Sequence, residues 1–215
     1  MRKTYPPFLL GIIFFFLILT ISLFLLSFNT SFYKKEFSRY HVYEQFTEPQ
    51  TKIDQEFSYV LSYLQGKTTT LETPFFNEKE KIHLNDVKEL YTFARIILYI
   101  SLFLFLLLSF FLFKNKQPLL FFQGITYGSI FLLLFFFILF IFVLVNFEKT
   151  FTLFHKLLFT NDLWMLNPET DNLIKMLPLE IFQDLAKRII IFSVLAALFF
   201  GYGSIYFKKK LLLKG

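Results

Sequence analysis

Four long apolar runs limit what this chain can fold into more than any other feature. They occupy residues 8–28, 93–113, 119–146 and 189–207. Each is close to or longer than the ~20 residues that a helix needs to cross the hydrocarbon core of a bilayer. The composition agrees, because 55% of the residues are hydrophobic and only 18% are charged, whereas soluble domains are about 25% charged. We therefore predict an all-α integral membrane protein with four transmembrane helices in one membrane domain, residues 1–215.

The distribution of charge indicates which ends of these runs face the cytoplasm. All 16 acidic residues lie in two long loops, 29–92 and 147–188. The short flanks on the opposite side contain eight basic residues and no acidic ones: Arg2, Lys3, Lys114, Lys116, Lys208, Lys209, Lys210 and Lys214. By the positive-inside rule, we expect both termini in the cytoplasm and both long loops outside it. The net charge of +6 then reflects orientation and contact with membrane lipid, and it requires no nucleic-acid partner.

The chain contains no cysteine and three histidines. A thiol nucleophile, a disulfide and a cysteine metal site are therefore excluded. The histidines are His41, His83 and His155, and all of them lie in the two long loops. His41 is in a region of little pattern, and we interpret it as a surface residue.

The first long loop contains two helical patterns. Ile53, Phe57, Leu61 and Leu64 recur at helical spacing, and Gly66 follows as a C-terminal cap. This pattern predicts an amphipathic helix that lies on the bilayer or against the bundle.

The second pattern begins at Asn77, which we predict as the N-cap of a helix, with Glu80 at the capping-box position. No proline or glycine occurs from there to Pro118, so the helix is expected to continue unbroken into the second span. It carries His83 and Asp86, which share a face at positions i and i+3. We expect Asp86 to fix the tautomer of the imidazole.

The second long loop is expected to begin as an extension of the third span through FEKTFTLFHKLLF, residues 147–159. In that extension Phe147, Phe151, Phe154 and Leu158 form one apolar stripe, with His155 at its polar border. The segment 160–162 should end the helix. Residues 167–188 then predict short interfacial helices separated by Pro168 and Pro178.

Each polar residue of these loops also has a purely structural interpretation. Trp164 suits the aromatic belt at a membrane interface. Asp86, Asp162 and Asp171 suit helix caps or solvated surfaces, and Arg95 suits a side chain that extends from a span to the interface. Spacing alone predicts only that His83 and His155 lie on helical extensions of the second and third spans. Whether they meet stays open at this point.

Two segments resemble a known family. FNEKEKIHLNDVKEL (76–90) and FHKLLFTNDLWMLNPETDNLIKMLPLEIF (154–182) are similar to the four-helix bacterial membrane family that contains the lipoprotein intramolecular transacylase. The first segment matches the family pattern at Phe76, Asn77, Glu78, Glu80, His83, Asp86 and Val87. The second matches at Phe154, His155, Phe159, Trp164, Asp171, Leu173, Ile174 and Pro178. Leu158 stands where the family often has Phe, and Leu179-Glu180 replaces a more usual Pro-Glu-Glu.

The resemblance implies an acyltransferase of the bacterial cytoplasmic membrane that uses no cofactor and no metal. Its substrates would be diacylglyceryl-modified lipoproteins, whose sn-2 acyl chain moves to the α-amino group of the N-terminal cysteine and leaves a lyso-form product. His83 and His155 take the catalytic positions, and we expect His155 to be the base and His83 the acid or electrostatic partner. The candidate supporting residues are Glu80, Asp86, Arg95, Asp162, Trp164 and Asp171.

Two other functions are compatible with the same residues. The first is a metal-using membrane hydrolase or transferase, with both histidines and either Asp86 or Asp162 as ligands, although no compact motif such as H-E-x-x-H is present. The second is a non-enzymatic membrane assembly or binding protein. It predicts that replacing His83 or His155 leaves function intact.

Overall fold

The protein is an all-helical chain, and its computed structural model describes residues 5–213. No β-strand occurs within that range. The helices are α1 (Tyr5–Ser27), α2 (Thr30–Arg39), α3 (Gln50–Leu64), α4 (Glu78–Lys114), α5 (Pro118–Val145), α6 (Phe147–Leu158), α7 (Asn172–Met176) and α8 (Leu179–Leu212), with a 3₁₀ turn at Val42–Gln45. Three of the basic residues used to orient the chain, Arg2, Lys3 and Lys214, lie outside the described residues.

Four of these helices are long and apolar enough to cross a membrane: α1, α4, α5 and α8. The predicted all-α class with four transmembrane helices is therefore confirmed. The helix α4 has 37 residues and is about 55 Å long at 1.5 Å per residue, whereas a bilayer core is about 30 Å thick. Its apolar part, 93–113, suffices to span the membrane, and residues 78–92 form a polar extension.

The chain divides into two compact units. The first unit contains residues 5–26, 94–142 and 187–213, and the second contains residues 27–93 and 143–186. In the first unit, α1 and α5 pack at small residues. A Cβ atom added to Gly128 would lie 2.6 Å from the carbonyl oxygen of Gly11, and one added to Gly124 would lie 2.7 Å from Leu10 Cδ2. The glycines therefore permit an approach that any side chain would prevent.

The core of the second unit is aromatic and is built by α2 and α3. The Tyr33 ring lies 4.6 Å from that of Phe57, which lies 5.0 Å from Phe37. All four apolar residues of the predicted stripe on α3 are buried, and Gly66 follows the helix with φ of 73°. The predicted amphipathic helix and its glycine cap are therefore confirmed.

One prediction about the second long loop is wrong, and another is correct only in part. The third span does not extend through residues 147–159, because Asn146 adopts an extended conformation and its side chain accepts a hydrogen bond from Lys149 N, which starts α6 as a new helix. Residues 167–188 do contain a short helix between Pro168 and Pro178, which is α7, but the residues after Pro178 form the first turns of the long helix α8 and not a second short helix. Pro178 lies immediately before α8, where a proline costs little because the first helical N–H groups have no partner inside the helix.

Candidate active site

The N-terminus of α4 forms the capping box that the sequence predicts. The Asn77 N–H donates to Glu80 Oε2 at 2.7 Å, and the Glu80 N–H donates to Asn77 Oδ1 at 3.0 Å. Two of the N–H groups at the start of the helix are thus satisfied by reciprocal bonds. The helix begins at a defined residue, and this sets the direction in which His83, one turn further on, projects.

Glu80 also caps a second helix. Its Oε1 accepts a hydrogen bond from Leu173 N, in the first turn of α7, at 2.5 Å. The side chain is 1% exposed, and burial, reinforced by the nearby charge of Asp171, raises the pKa of Glu80 against the opposing effect of its backbone N–H donors. One carboxylate therefore connects the starts of α4 and α7, which favours a structural role for Glu80.

Asp171 is the second carboxylate that joins the two motifs. Its Oδ1 accepts from Asn77 Nδ2 at 2.9 Å, and its Oδ2 accepts from Asn167 N at 2.8 Å. Burial alone would raise the pKa of Asp171, but hydrogen bonds from Asn167, Thr170 and Asn77, with the charge of Lys79, hold it below its ordinary value. Asp171 is therefore an ionised acceptor that fixes the loop before α7 to the start of α4.

The two motifs are joined by five hydrogen bonds between side chains and distant parts of the chain. The donor–acceptor pairs are Asn77–Asp171, Lys79–Met165, Asn161–Asp86, Asn172–Phe75 and Leu173–Glu80. The paired residues are 75 to 97 positions apart in the sequence. These bonds hold the polar extension of α4 against the segment that carries His155.

His83 and His155 lie next to each other. Their ring centroids are 6.0 Å apart, and the ring planes make an angle of 36°. Each residue is only 7% exposed. Sequence spacing placed the two histidines on separate helical extensions, and the structure brings both into one buried site.

Aromatic rings surround the histidine pair. The His155 ring lies 4.3 Å from Phe151, 5.0 Å from Trp164 and 5.4 Å from both Phe154 and Phe159. Phe159 also lies 5.2 Å from His83. The imidazoles therefore occupy an apolar environment, which disfavours their charged forms.

The hydrogen bond made by His155 defines its tautomer. Its Nδ1 lies 2.8 Å from the carbonyl oxygen of Phe151. A carbonyl oxygen only accepts, so Nδ1 carries a proton, and in the neutral ring Nε2 carries the lone pair. Burial lowers the pKa of His155, opposed by this hydrogen bond. At neutral pH, His155 is a neutral imidazole whose Nε2 can accept a proton.

His83 has a different environment. Its Nδ1 is buried and has no hydrogen-bond partner among the residues that the structure describes. Burial, followed by the nearby His155, lowers the pKa of His83 to about 4, against the opposing effect of Asp86. Asp86 accepts from Asn161 Nδ2 at 2.9 Å. The expected hydrogen bond from His83 Nδ1 to Asp86, which would fix the tautomer, is therefore not formed.

The remaining candidate residues lie in different places. Trp164 contacts His155 directly and is thus part of the site. Asp162 is exposed, and its backbone oxygen accepts from Met165 N in a turn. Arg95 belongs to the first unit, with its guanidinium carbon 5.9 Å from the centre of the Phe24 ring. His41 is exposed and bonds to Glu44 at 2.6 Å, in agreement with its interpretation as a surface residue.

Three residues of the site were missed by the sequence analysis. Phe151 was seen only as part of an apolar stripe, yet its carbonyl group holds His155. Phe159 contacts both imidazoles, and Asn161 connects its own loop to Asp86. The only signal for Phe151 is its position four residues before a histidine on a helix. Asn161 lies in a segment that was interpreted simply as the end of the helix.

The site does not contain the ligand set that the metal-dependent alternative requires. Over residues 5–213, no group of three or more histidine, aspartate and glutamate side chains is arranged to hold a metal ion.

Fold and site together define a class, that of a multi-pass membrane protein whose long loops enclose a pair of facing imidazoles. The chain belongs to the lipoprotein intramolecular transacylase Lit family, whose model matches residues 8–182. It is therefore an acyltransferase of the membrane-integral type.

Solved structures of the membrane-integral transacylase Lit from Bacillus cereus have the same fold. One has a TM-score of 0.87 at 24% identity, covering 98% of this chain and 97% of its own. A variant with a histidine-to-arginine substitution has a TM-score of 0.80 at 24% identity and covers 98% of this chain and 93% of its own. A histidine-to-alanine variant has the same TM-score and identity and covers 97% and 94%. No curated protein sequence matches the chain.

Proposed function

We propose that this chain moves the sn-2 acyl group of a diacylglyceryl lipoprotein to the α-amino group of the N-terminal cysteine of that lipoprotein. The amine nitrogen attacks the ester carbonyl, an amide C–N bond forms, and the ester C–O bond breaks. One proton passes from the amine to the released glycerol oxygen, so the product is the N-acylated lyso-form. The exchange of an ester for an amide is downhill and needs no nucleotide.

The histidine pair is the observation that carries this proposal. His155 presents an Nε2 lone pair because its Nδ1 proton is bonded to Phe151. An α-ammonium group titrates at about 7.7–8.0 and an unperturbed histidine at about 6.5, and burial lowers the pKa of His155 further. His155 therefore takes the proton once the amine nitrogen has attacked the carbonyl carbon, because the nitrogen is then far more acidic. His155 accepts the amine proton and then returns it to the departing glycerol oxygen, as a general base followed by a general acid.

His83 acts as the electrostatic partner of this transfer. Its lowered pKa keeps the ring neutral at pH 7, so His83 has one N–H group that can donate a hydrogen bond to the substrate. A buried N–H without an acceptor is costly, and we therefore assign the lone pair to the unpartnered Nδ1 and the proton to Nε2. That N–H donates to the oxygen on which negative charge develops.

The position of amine and ester in one substrate molecule reduces what the protein must supply. Oriented intramolecular reactions gain roughly 7–11 kcal/mol over their bimolecular counterparts. The remaining tasks are to hold the headgroup, exclude water and move one proton. The aromatic rings around His155 suit the exclusion of water, and Trp164 Nε1 is a further candidate donor to the oxyanion.

Mass spectrometry of lipoprotein N-termini tests this function. The gene would be expressed in a bacterium whose lipoproteins end in free diacylglyceryl-cysteine. We expect N-acylated lyso-form peptides with the wild type, and their loss with His83→Ala or His155→Ala. The matched control is His41→Ala, which replaces an exposed histidine outside the site. Unmodified lipoproteins in the presence of well-expressed wild-type protein would contradict the proposal.

We also propose that the histidine site faces the outside of the cytoplasmic membrane. The basic residues Lys114 and Lys116 lie at the short connection between the second and third spans, whereas the acidic residues lie in the two long loops. Because the chain has no cysteine, single cysteines at Lys67 and Lys116 report on the two sides. A membrane-impermeant maleimide should label the cysteine at position 67 in intact cells and the one at position 116 only after lysis. The reverse labelling pattern would show that the histidine site faces the cytoplasm and would contradict the proposed orientation.

A further inference from the structure

The helix α6 exposes an apolar face on the side away from His155. His155 is its buried residue, whereas Leu153, Phe154, Leu157 and Leu158 are 44–74% exposed. At about 100° per residue these four side chains form a continuous arc of roughly 140°. Such an arc on a helix of 12 residues is suited to an apolar surface outside the folded chain.

The edge of this arc is basic. Lys149 and Lys156 are two helical turns apart and, with Asn146, Glu148, Thr152 and Leu153, line an open depression on the surface of the helix. Neither lysine forms an ion pair with any residue in the range 5–213. Two lysines against one glutamate leave this edge with an excess of positive charge, which is complementary to phosphate groups.

The position of α6 in the chain identifies the surface that covers it. Only Asn146 separates α6 from α5, a helix long and apolar enough to cross the membrane. The last residues of α5, Leu144 and Val145, are themselves strongly exposed. The apolar arc therefore begins where a membrane span ends, at the level of the lipid headgroups.

We propose that α6 is an interfacial helix whose apolar arc lies among the acyl chains of the bilayer and whose Lys149 and Lys156 bind the phosphates of anionic phospholipids. The interaction is with bulk membrane lipid and does not depend on the proposed acyl transfer. It places His155 about one helix diameter from the lipid phase. A substrate anchored by its acyl chains would then reach the histidine by moving along the membrane plane.

Spin labels on single cysteines test the position of the arc. The cysteine-free chain allows Leu157→Cys to carry the only nitroxide, in vesicles of phosphatidylglycerol and phosphatidylcholine. We expect the label to collide with dissolved oxygen more than with a water-soluble nickel chelate. The control His41→Cys should show the opposite preference. Equal nickel accessibility at the two positions, or dipolar broadening between labels on α6 of two copies, would overturn the proposal.

Lipid selectivity tests the lysines independently. Spin-labelled phosphatidylglycerol should associate with the wild type in preference to spin-labelled phosphatidylcholine. We expect this preference to fall roughly fivefold to 25-fold in the double variant Lys149→Gln/Lys156→Gln, since one lysine near an anionic surface contributes ~1 kcal/mol, which is about fivefold. The control Lys35→Gln/Lys67→Gln removes the same charge from exposed positions elsewhere. An equal loss in both variants would contradict a specific contribution from α6.

Discussion

Replacement of Glu80 by alanine should destabilise the second unit more than any neighbouring acidic substitution. The carboxylate accepts from Asn77 N and Leu173 N and is almost fully buried. Its removal leaves two N–H groups without this acceptor. A buried unsatisfied donor costs about 1–3 kcal/mol, so we expect a loss of roughly 2–5 kcal/mol in the free energy of unfolding.

The chain contains its own reporter for this experiment. Trp164 is the only tryptophan and lies against His155, so its fluorescence during thermal unfolding in detergent follows the second unit. Hydrogen exchange measured by mass spectrometry should also show loss of protection for peptides that contain the amides of Asn77 and Leu173.

A matched control is available two residues earlier in the chain. Glu78 is in the same first turn of α4, but its side chain is 84% exposed and forms an ion pair with the neighbouring Lys81. We expect Glu78→Ala to change the stability by less than ~0.5 kcal/mol. If Glu80→Ala unfolds at the same temperature as Glu78→Ala, with unchanged amide protection, the assignment of Glu80 as a shared helix cap is refuted.

Three further predictions concern the histidines, the loop and the helix packing. Because the pKa of His83 is lowered to about 4 from an unfolded value near 6.5, its contribution to stability is complete above pH 6.5. About 3 kcal/mol of the free energy of unfolding should be lost as the pH falls to 4. The variant His83→Gln should show a smaller decrease in melting temperature over this pH range than the wild type, and equal decreases in the two proteins would contradict the prediction. Asn161→Asp places a second carboxylate beside Asp86, and two ionised carboxylates repel each other, so turnover should fall more at pH 8 than at pH 5. If the ratio of the rates at pH 8 and pH 5 equals that of the wild type, the contact between residues 161 and 86 is refuted. Gly128→Ala should destabilise the first unit by ~1–3 kcal/mol in calorimetry, because the added Cβ would meet the Gly11 carbonyl. The control Gly203→Ala, with nothing within 4 Å, should have no such effect, and equal melting temperatures would contradict the packing.

The parts of the fold that depend on local signals were predictable from the sequence. The four spans follow from apolar runs, and the start of α4 follows from the Asn77–Glu80 capping box. The end of α3 shortly before Gly66 follows from the glycine, which readily adopts the positive φ found there. Each of these features is determined by residues within a few positions of one another, so one sequence contains all the information.

The meeting of the histidines was not predictable from spacing. Periodicity defines the direction of a side chain on its own helix, but it does not determine which helices pack together. Here the pairing depends on bonds such as Asn77–Asp171 and Asn161–Asp86, between residues 94 and 75 positions apart. The family resemblance identified the same two histidines without supplying this geometry.

The environment of His155 was misjudged for a physical reason. The spacing of residues 147–158 placed His155 at the polar border of an apolar stripe. In the structure Phe154 and Leu158 are exposed while His155 is buried. The rule that apolar residues lie inside holds for a chain surrounded by water. In the interfacial position that we propose for α6, the solvent around these side chains would itself be apolar.

The break at Asn146 was also missed, although its signals were present. Asparagine is a favoured N-cap residue, and Glu148 follows in the first turn of α6. The uninterrupted apolar run before it outweighed these signals, because the break contains neither proline nor glycine.

Because of the break at Asn146, the direction in which His155 projects does not depend on the length of the third span. In one continuous rod, a single inserted residue would rotate everything beyond it by about 100°, and the imidazole would turn away from its neighbour. Since α6 begins as a new helix after Asn146, the orientation of the His155 ring depends on its contacts with Phe151, Phe159 and Trp164. A third span of different length, suited to a bilayer of different thickness, would therefore be compatible with the same orientation of the His155 ring.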